Sequence, residues 1–496
     1  MQDYAPAPVQ DGFAASTSTF TEILGWLGQD QTVLTHAEIE DRLDIEGREL
    51  LRQMYQDRLD LCAERERRLV EVADADGALR GTAEPGRERA LATMFGQVMV
   101  TRIAYRARGL PDLHPADAVL NLPAETHSHG LRRLAAVEAT RGSFADAATA
   151  IGRATGVSVG KRQVEALTAR AGTDITGFYA TRETDACPHT TVLAMTYDAK
   201  GVVMRPDALR RGTAKAQASR KLTGRLSRGE KRCRKRMAEV ACVYDLTPVA
   251  RTAADIMPDQ RGQARPAPAA TGKWLTASLT DEAATVIAAG FAEATRRDPE
   301  HRRPWIALVD GNTHQIERIH AEARRHQASV PIIVDFVHVV EYVWKAAWCF
   351  FAEGDRAAET WVRDHARQVL AGRASIVAAA IRRKATYHGL DPGRRKAADT
   401  CAAYLLAKKP YLDYPTALAA GWPIATGVIE GACRHLVKDR MDITGARWGL
   451  DGAEAVLRLR ALIANGDLDQ YWQYHLRQEH QRIHTARYLD GLIPTR

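Results

Sequence analysis

The sequence has no run of about 18 apolar residues, so nothing in it suggests a membrane span. Its densest apolar stretch, 330–351, is broken by Asp335, His338, Glu341 and Lys345. Its seven cysteines include no C-x-x-C pair, which argues against a zinc cage and against a disulfide framework. The first residues lack the basic start and apolar centre of a secretory signal, so a cytoplasmic location is expected. Neither a G-x-S-x-G turn, nor a P-loop, nor a G-x-G-x-x-G loop occurs, so a serine nucleophile and a nucleotide cofactor are not expected.

What is present suits a soluble globular chain: 496 residues, 45% apolar and 26% charged. That length suggests about three domains. The charge is unevenly spread. The net charge is +8, yet residues 205–236 alone hold thirteen Lys and Arg against two acids. So dense a run repels itself and calls for solvent or a polyanion. Arg211, Lys221, Arg225, Arg228, Arg232, Arg234, Lys235 and Arg236 are therefore candidate contacts to a phosphate backbone. The segment has no aromatic residue, which argues against base stacking there.

Residues 1–85 read as helical, and 45–72 has the apolar spacing of an amphipathic helix that pairs with another. A linker is expected at 81–86, followed by a small β-ribbon of 90–94 and 97–106. Residues 143–170 read as helix, turn, helix. Ser143 and Ser158 are the expected caps, Gly156 lies in the turn, and Lys161 and Arg162 sit on the second helix, a pattern that suits a DNA major groove. From 191 onward the order becomes β-β-β-α-β-α-β, with strands at 191–197, 201–204, 239–244, 305–309 and 330–334. This predicts a mixed sheet with helices on its faces. Residues 258–272 read as a surface connection, 339–420 as all helix, and a further helix starts near Gly427.

Asp198 and Asp310 are each expected directly after an apolar strand, where ligands gather beyond the carboxyl ends of parallel strands. Glu430 lies among small residues on the helix starting near Gly427, which can bring a third carboxylate to the same place. Three clustered carboxylates repel unless cations join them, and hard Mg2+ or Mn2+ ions suit all-oxygen ligands. Two such ions can activate a nucleophile and stabilise a leaving oxygen at phosphorus. Asp335 competes for the second position; Asp310 is preferred because Gly311 and Asn312 leave an open turn after it. Asp335 and His338 are then expected to support the ligands by hydrogen bonds.

The stretches 195–203, 308–312 and 427–440, with 444–448 and 455–460, resemble those of bacterial insertion-sequence transposases of the ISKra type. The resemblance runs from about residue 95 to the C-terminus, and the segment around Glu430 is its most specific part. It implies an RNase H-like core with an all-α insertion, behind a mainly helical DNA-binding region. The corresponding divisions are 1–85, 86–185, 186–338, 339–422 and 423–496. It also implies Asp198, Asp310 and Glu430 as catalytic acids holding two Mg2+ or Mn2+ ions. Asp335 and His338 are similar to the acid-x-x-His element of the related Mutator-like transposases. Ala199 stands where that pattern leads us to expect Gly. Cleavage at element ends and transfer of the freed 3′-OH into target DNA would follow, with double-stranded DNA as partner and a homodimer or larger assembly at the nucleoid. Arg447 and Trp448 are expected near a terminal base, Trp448 by stacking. A transposase-derived DNA-binding protein without activity, and a nuclease without strand transfer, are the alternatives.

Overall fold

The computed structural model describes residues 11–29, 34–183, 188, 190–218, 234–258, 265–443 and 445–495. The chain forms two compact units, Met1–Thr181 with Asp467–Arg496, and Arg182–Gly466.

The first unit opens with two antiparallel helices, α1 (Ala14–Leu27) and α2 (His36–Arg65). A capping box starts α2: the Thr35 hydroxyl accepts the Glu38 N–H, and the Glu38 carboxylate accepts the Thr35 N–H. Strands β1 (Thr82–Thr93) and β2 (Gly96–Arg106) follow as an antiparallel ribbon with Met94 and Phe95 in the turn. The expected linker at 81–86 is instead strand, with the register broken between Glu84 and Arg87. That irregularity accommodates Pro85, which cannot donate to the ladder. The ribbon is part of a core: Leu91, Val98 and Val100 pack with Leu59 of α2 and Leu122.

Helices α3 (His129–Arg141), α4 (Phe144–Thr155) and α5 (Lys161–Ala171) come next. Ser143 and Asp146 form the capping box of α4, and Gly156 ends it at φ +69°. The second helix of the pair starts at Lys161 rather than at Ser158, because the Gln163 side chain turns back to accept the Gly160 N–H at 2.9 Å.

The second unit is built on a five-stranded sheet of order β5-β4-β3-β6-β7. Its strands are β3 (Val192–Val203), β4 (Lys235–Leu246), β5 (Ala270–Ser278), β6 (Trp305–Val309) and β7 (Ile332–Val334). β3, β4 and β5 run antiparallel in turn, while β3, β6 and β7 are parallel. The two expected strands 191–197 and 201–204 are one continuous β3, and the tail of the expected connection 258–272 opens β5. The predicted order β-β-β-α-β-α-β holds for the strands and the two long helices alone, because the shorter helices Arg211–Ala218 and Ala253–Ile256 lie between β3, β4 and β5.

Helices α6 (Ala283–Arg297) and α7 (Thr313–Arg325) link β5, β6 and β7. After α8 (Phe336–Ala347), the chain stays helical through Arg356–Leu370, Ala374–Tyr387 and α9 (Lys396–Ala407). Then come α10 (Gly427–Cys433) and α11 (Leu450–Ala464).

At the end of the sheet where β3 and β6 begin, a buried charge network ties the frame together. Asp245 of β4 accepts from Arg297 of α6 at 2.6 Å and from Arg303 at 2.5 Å. Arg297 also pairs with Glu293 at 2.8 Å, and Asp298 accepts the Trp305 indole N–H at 2.9 Å.

The last helix, α12 (Leu468–Ile483), belongs to the first unit, whereas the sequence division placed 423–496 with the core. A buried polar cluster explains it. Arg132 of α3, fully buried, pairs with Glu125 and with Glu479 of α12, and its Nη1 lies 3.0 Å from His475 Nε2. His475 Nδ1 lies 2.7 Å from Asp174. Arginine can only donate, so His475 Nε2 accepts and Nδ1 carries the proton toward Asp174. No helix among the described residues is long and apolar enough to cross a membrane.

Candidate catalytic site

The register of the second unit aligns the acids. Thr196 of β3 pairs with Leu308 of β6, so two residues on, Asp198 stands level with Asp310. Val309 of β6 pairs with Val334 of β7, so one residue on, Asp310 stands level with Asp335. The Asp335 N–H donates to the Val309 carbonyl at 2.9 Å, which holds that alignment past the last paired residues. Three carboxylate-bearing positions thus form one row across three neighbouring strands, each step about 4.8 Å. Asp310 and Asp335 follow the ends of their strands as expected, but Asp198 lies inside β3.

Strand alternation gives Asp198 its face. Tyr197 points to the α6 side, where a Cβ on Gly290 would sit 2.7 Å from its hydroxyl, so only glycine allows that approach. Asp198 therefore points to the other face. There Cys433 of α10 stands beside Asp198, and burial, with the Asp198 charge adding, pushes that thiol well above its usual range. Asp198 Oδ1 also accepts the Ala199 N–H at 2.7 Å. Glu430 stands one helical turn before Cys433 on α10 and is exposed.

Asp310 and Asp335 differ in what they have left to offer. Asp335 is 1% exposed and caps α8 through the Val337 N–H at 2.7 Å. Its other oxygen accepts both the N–H and the hydroxyl of Thr426. Both oxygens are thus committed to structure. The same Thr426 hydroxyl lies 3.4 Å from Glu430 Oε1, which places Glu430 beside the row of acids. Asp310 is half-buried, and its side chain accepts the Asn312 N–H at 2.8 Å. The Asp310 carbonyl accepts the Tyr404 hydroxyl of α9 at 3.2 Å. Gly311 is required between them: its φ is +96°, and a Cβ there would stand 2.6 Å from the Tyr404 hydroxyl.

Sequence reasoning missed Glu239, Tyr404, Thr426 and Cys433. Glu239 pairs across the ladder with Ala199, and burial, with the Asp198 charge adding, raises its carboxyl above the usual range. Tyr404 is stacked on Tyr342 of α8 at 4.0 Å between ring centres, which fixes the helical insertion against the site. Cross-strand register and a helix 94 residues downstream of Asp310 leave no local sequence signal. Cys433 did leave one, since it follows Glu430 at the i+3 spacing that shares a helix face.

The acids share one sheet edge, yet their side chains as placed do not close a shell. Among the described residues no group of three or more His, Cys, Asp or Glu side chains is gathered closely enough to hold a metal ion. The donor chemistry still fits a hard divalent cation, because Asp198, Asp310 and Glu430 offer only oxygen.

The other candidates divide. His338 is half-buried, edge-on to Tyr342, with Nδ1 3.9 Å from Glu341. Lys161, Arg162, Arg211, Lys235 and Arg447 are exposed. Arg234 is half-buried, and Arg236 donates to the carbonyls of Leu279 at 2.7 Å and Ala208 at 3.2 Å. Lys221, Arg225, Arg228 and Arg232 lie outside the described residues. Trp448 is 6% exposed, with its indole N–H on the Met441 carbonyl at 3.0 Å and the Arg440 guanidinium 4.6 Å over its ring. Its ring packs inside the unit rather than standing open for a base.

Compared with models of known families and with curated proteins, the chain matches none.

Proposed function

We propose that this chain is a DNA transposase of the DDE kind, whose second unit is an RNase H-like core. The observation that carries the reading is the row Asp198–Asp310–Asp335 on the parallel strands, with the Glu430 helix packed on the same face. The sheet supports it too: three antiparallel strands, then two parallel ones added beside the first, is the order such a core has. The resemblance of 427–440 to ISKra-type transposases points the same way.

In this reading Asp198, Asp310 and Glu430 hold Mg2+ or Mn2+, while Asp335, already saturated, fixes α8 and Thr426 in place. Bound ions would lower the charge at a DNA phosphodiester and favour in-line attack by water and then by the 3′-OH. The chain's own part is to hold the acids in register, with Tyr404 anchoring the turn after Asp310. The exposed Lys161 and Arg162 at the start of α5 suit a phosphate backbone or groove, as do Arg211 and Lys235. A non-catalytic DNA-binding protein of the same ancestry is the second reading, favoured by the unclosed shell.

Purified protein is incubated with supercoiled plasmid carrying the DNA that borders its own reading frame, with Mg2+ or Mn2+. The proposal expects cutting by wild type, loss of cutting in Asp198→Asn, and equal DNA binding by both. A wild type that binds this DNA but never cuts it supports the second reading. Pre-cut ends mixed with target DNA separate a transposase, which joins them, from a nuclease, which does not.

A further inference from the structure

The helix that carries Glu430 changes its winding just after that residue. α10 runs into a π-helical turn, Arg434–Lys438, and returns to α-helix at Asp439–Met441. The backbone bonds show the change. The Asp439 N–H donates to the Arg434 carbonyl, five residues back, whereas the Asp442 N–H donates to the Lys438 carbonyl, four back. Between those bonds the carbonyls of His435, Leu436 and Val437 face only the N–H groups of Arg440 and Met441, so the ladder leaves one carbonyl over. Arg460 of α11 fills the gap. Its Nε donates to the Leu436 carbonyl at 2.9 Å, and its Nη2 donates to the His435 carbonyl.

The sequence calls for this turn. Buried side chains recur at every fourth position, Ile429, Cys433, Val437 and Met441 in one row and Ala432, Leu436 and Arg440 in another. At about 100° per residue, an unbroken α-helix would carry that stripe about 120° round between Ile429 and Met441. One extra residue taken up in a π-turn gives back roughly 100° of it. Both halves of the helix thus keep the same face inward. The half before the turn carries Glu430, with Thr426 bonded to Asp335 and Cys433 beside Asp198. The half after it is locked by Leu436, Val437 and Met441, all fully buried.

We infer that Arg460 is a positioning residue for Glu430, setting the rotation of α10 by bonding the carbonyls where the π-turn breaks the ladder. Without its guanidinium a buried carbonyl loses its donor, and a continuous α-helix becomes the better-paired ladder. The locked half cannot turn, so α10 would rotate by roughly 100° instead. That rotation takes Glu430 away from Thr426 and brings Cys433 out of the core. The inference rests on the proposed function for what Glu430 binds, and on backbone geometry alone for how Glu430 is held.

The test is alkylation of the full chain without metal or DNA, with Cys433 followed by mass spectrometry of its peptide. Cys433 is 3% exposed, so wild type should react slowly there. Arg460→Met should speed that reaction roughly tenfold or more, the loss of one charged hydrogen bond, and raise the Mn2+ dissociation constant by a similar factor in a parallel titration. Deleting the exposed His435 removes the extra residue, which makes the helix α throughout with both halves in register. Adding that deletion to Arg460→Met should therefore restore both readings, which a general loosening of the core would not allow. Arg460→Lys keeps the charge without the two-pronged reach and should fall between wild type and Arg460→Met. Thermal melting checks each fold; if Arg460→Met does not fold, Arg460→Lys with and without the deletion decides in its place. A normally melting Arg460→Met with Cys433 still protected, or a double variant no better than Arg460→Met, overturns the inference. A wild type that binds no Mn2+ overturns the metal reading instead, and the Cys433 reaction still judges Arg460.

Discussion

Removing Asp245 should destabilise the second unit without touching its acidic row. Asp245 is 4% exposed and accepts from two guanidiniums, those of Arg297 and Arg303. Both arginines are themselves buried, so Asp245→Ala leaves two cations in a poorly solvated place. Breaking one buried ion pair from one side typically costs about 3–5 kcal/mol. Arg297 keeps Glu293 at 2.8 Å, which offsets part of its loss, and Arg303 keeps the Thr191 hydroxyl, the Arg297 carbonyl and the nearby Asp298 charge. The cost should therefore fall near about 4 kcal/mol. For a unit of this size that is a fall in melting temperature of roughly 7 °C. Calorimetry on wild type and variant reads it directly. Adding Arg303→Met should recover part of the loss, because one stranded charge is gone. A variant that melts within about 2 °C of wild type would refute the argument that this network carries the frame.

Three further outcomes follow from the same structure. Gly311→Ala should weaken Mn2+ binding more than Tyr404→Phe does, because a side chain at φ +96° costs about 1–2 kcal/mol and also displaces the Tyr404 hydroxyl; equal titrations for the two variants would contradict it. Burial, with Arg132 beside it, pushes His129 down to about 4. Its folded value lies below the unfolded one, so it contributes about 3 kcal/mol above pH 6.5, lost progressively as pH falls toward 4, and His129→Gln should flatten the stability profile of the first unit in that window. Lys161→Ala with Arg162→Ala should reduce the salt slope of DNA binding by about 2, measured by fluorescence anisotropy from low to physiological salt; an unchanged slope would place α5 away from the phosphates.

The sequence reading and the structure part company where local pattern gives no information about partners. The apolar run 191–197 identified a strand, but the same strand continues through Asp198, Lys200 and Gly201 because β4 pairs with it along its whole length. Polar residues in a paired strand look like a strand end when only one chain segment is visible. β5 escaped because it starts in a Pro- and Gly-rich stretch, and Gly272 at φ +54° breaks its pattern. The start of α10 at Gly427 was legible, and so was the all-helical stretch before it, since helix periodicity is local. Register was not legible at all. It is register that sets Asp198, Asp310 and Asp335 level, and it is the Thr426 contact that separates the saturated Asp335 from the open Asp310. Trp448 was offered for stacking because its burial beneath Arg440 cannot be read from its neighbours in sequence.

The most direct test of the central claim is anomalous diffraction from crystals soaked in Mn2+. Density for manganese between the carboxylates of Asp198 and Asp310, with Glu430 turned in to reach it, is the predicted result. Manganese bound elsewhere, or an acidic row that stays empty at saturating Mn2+, would contradict it.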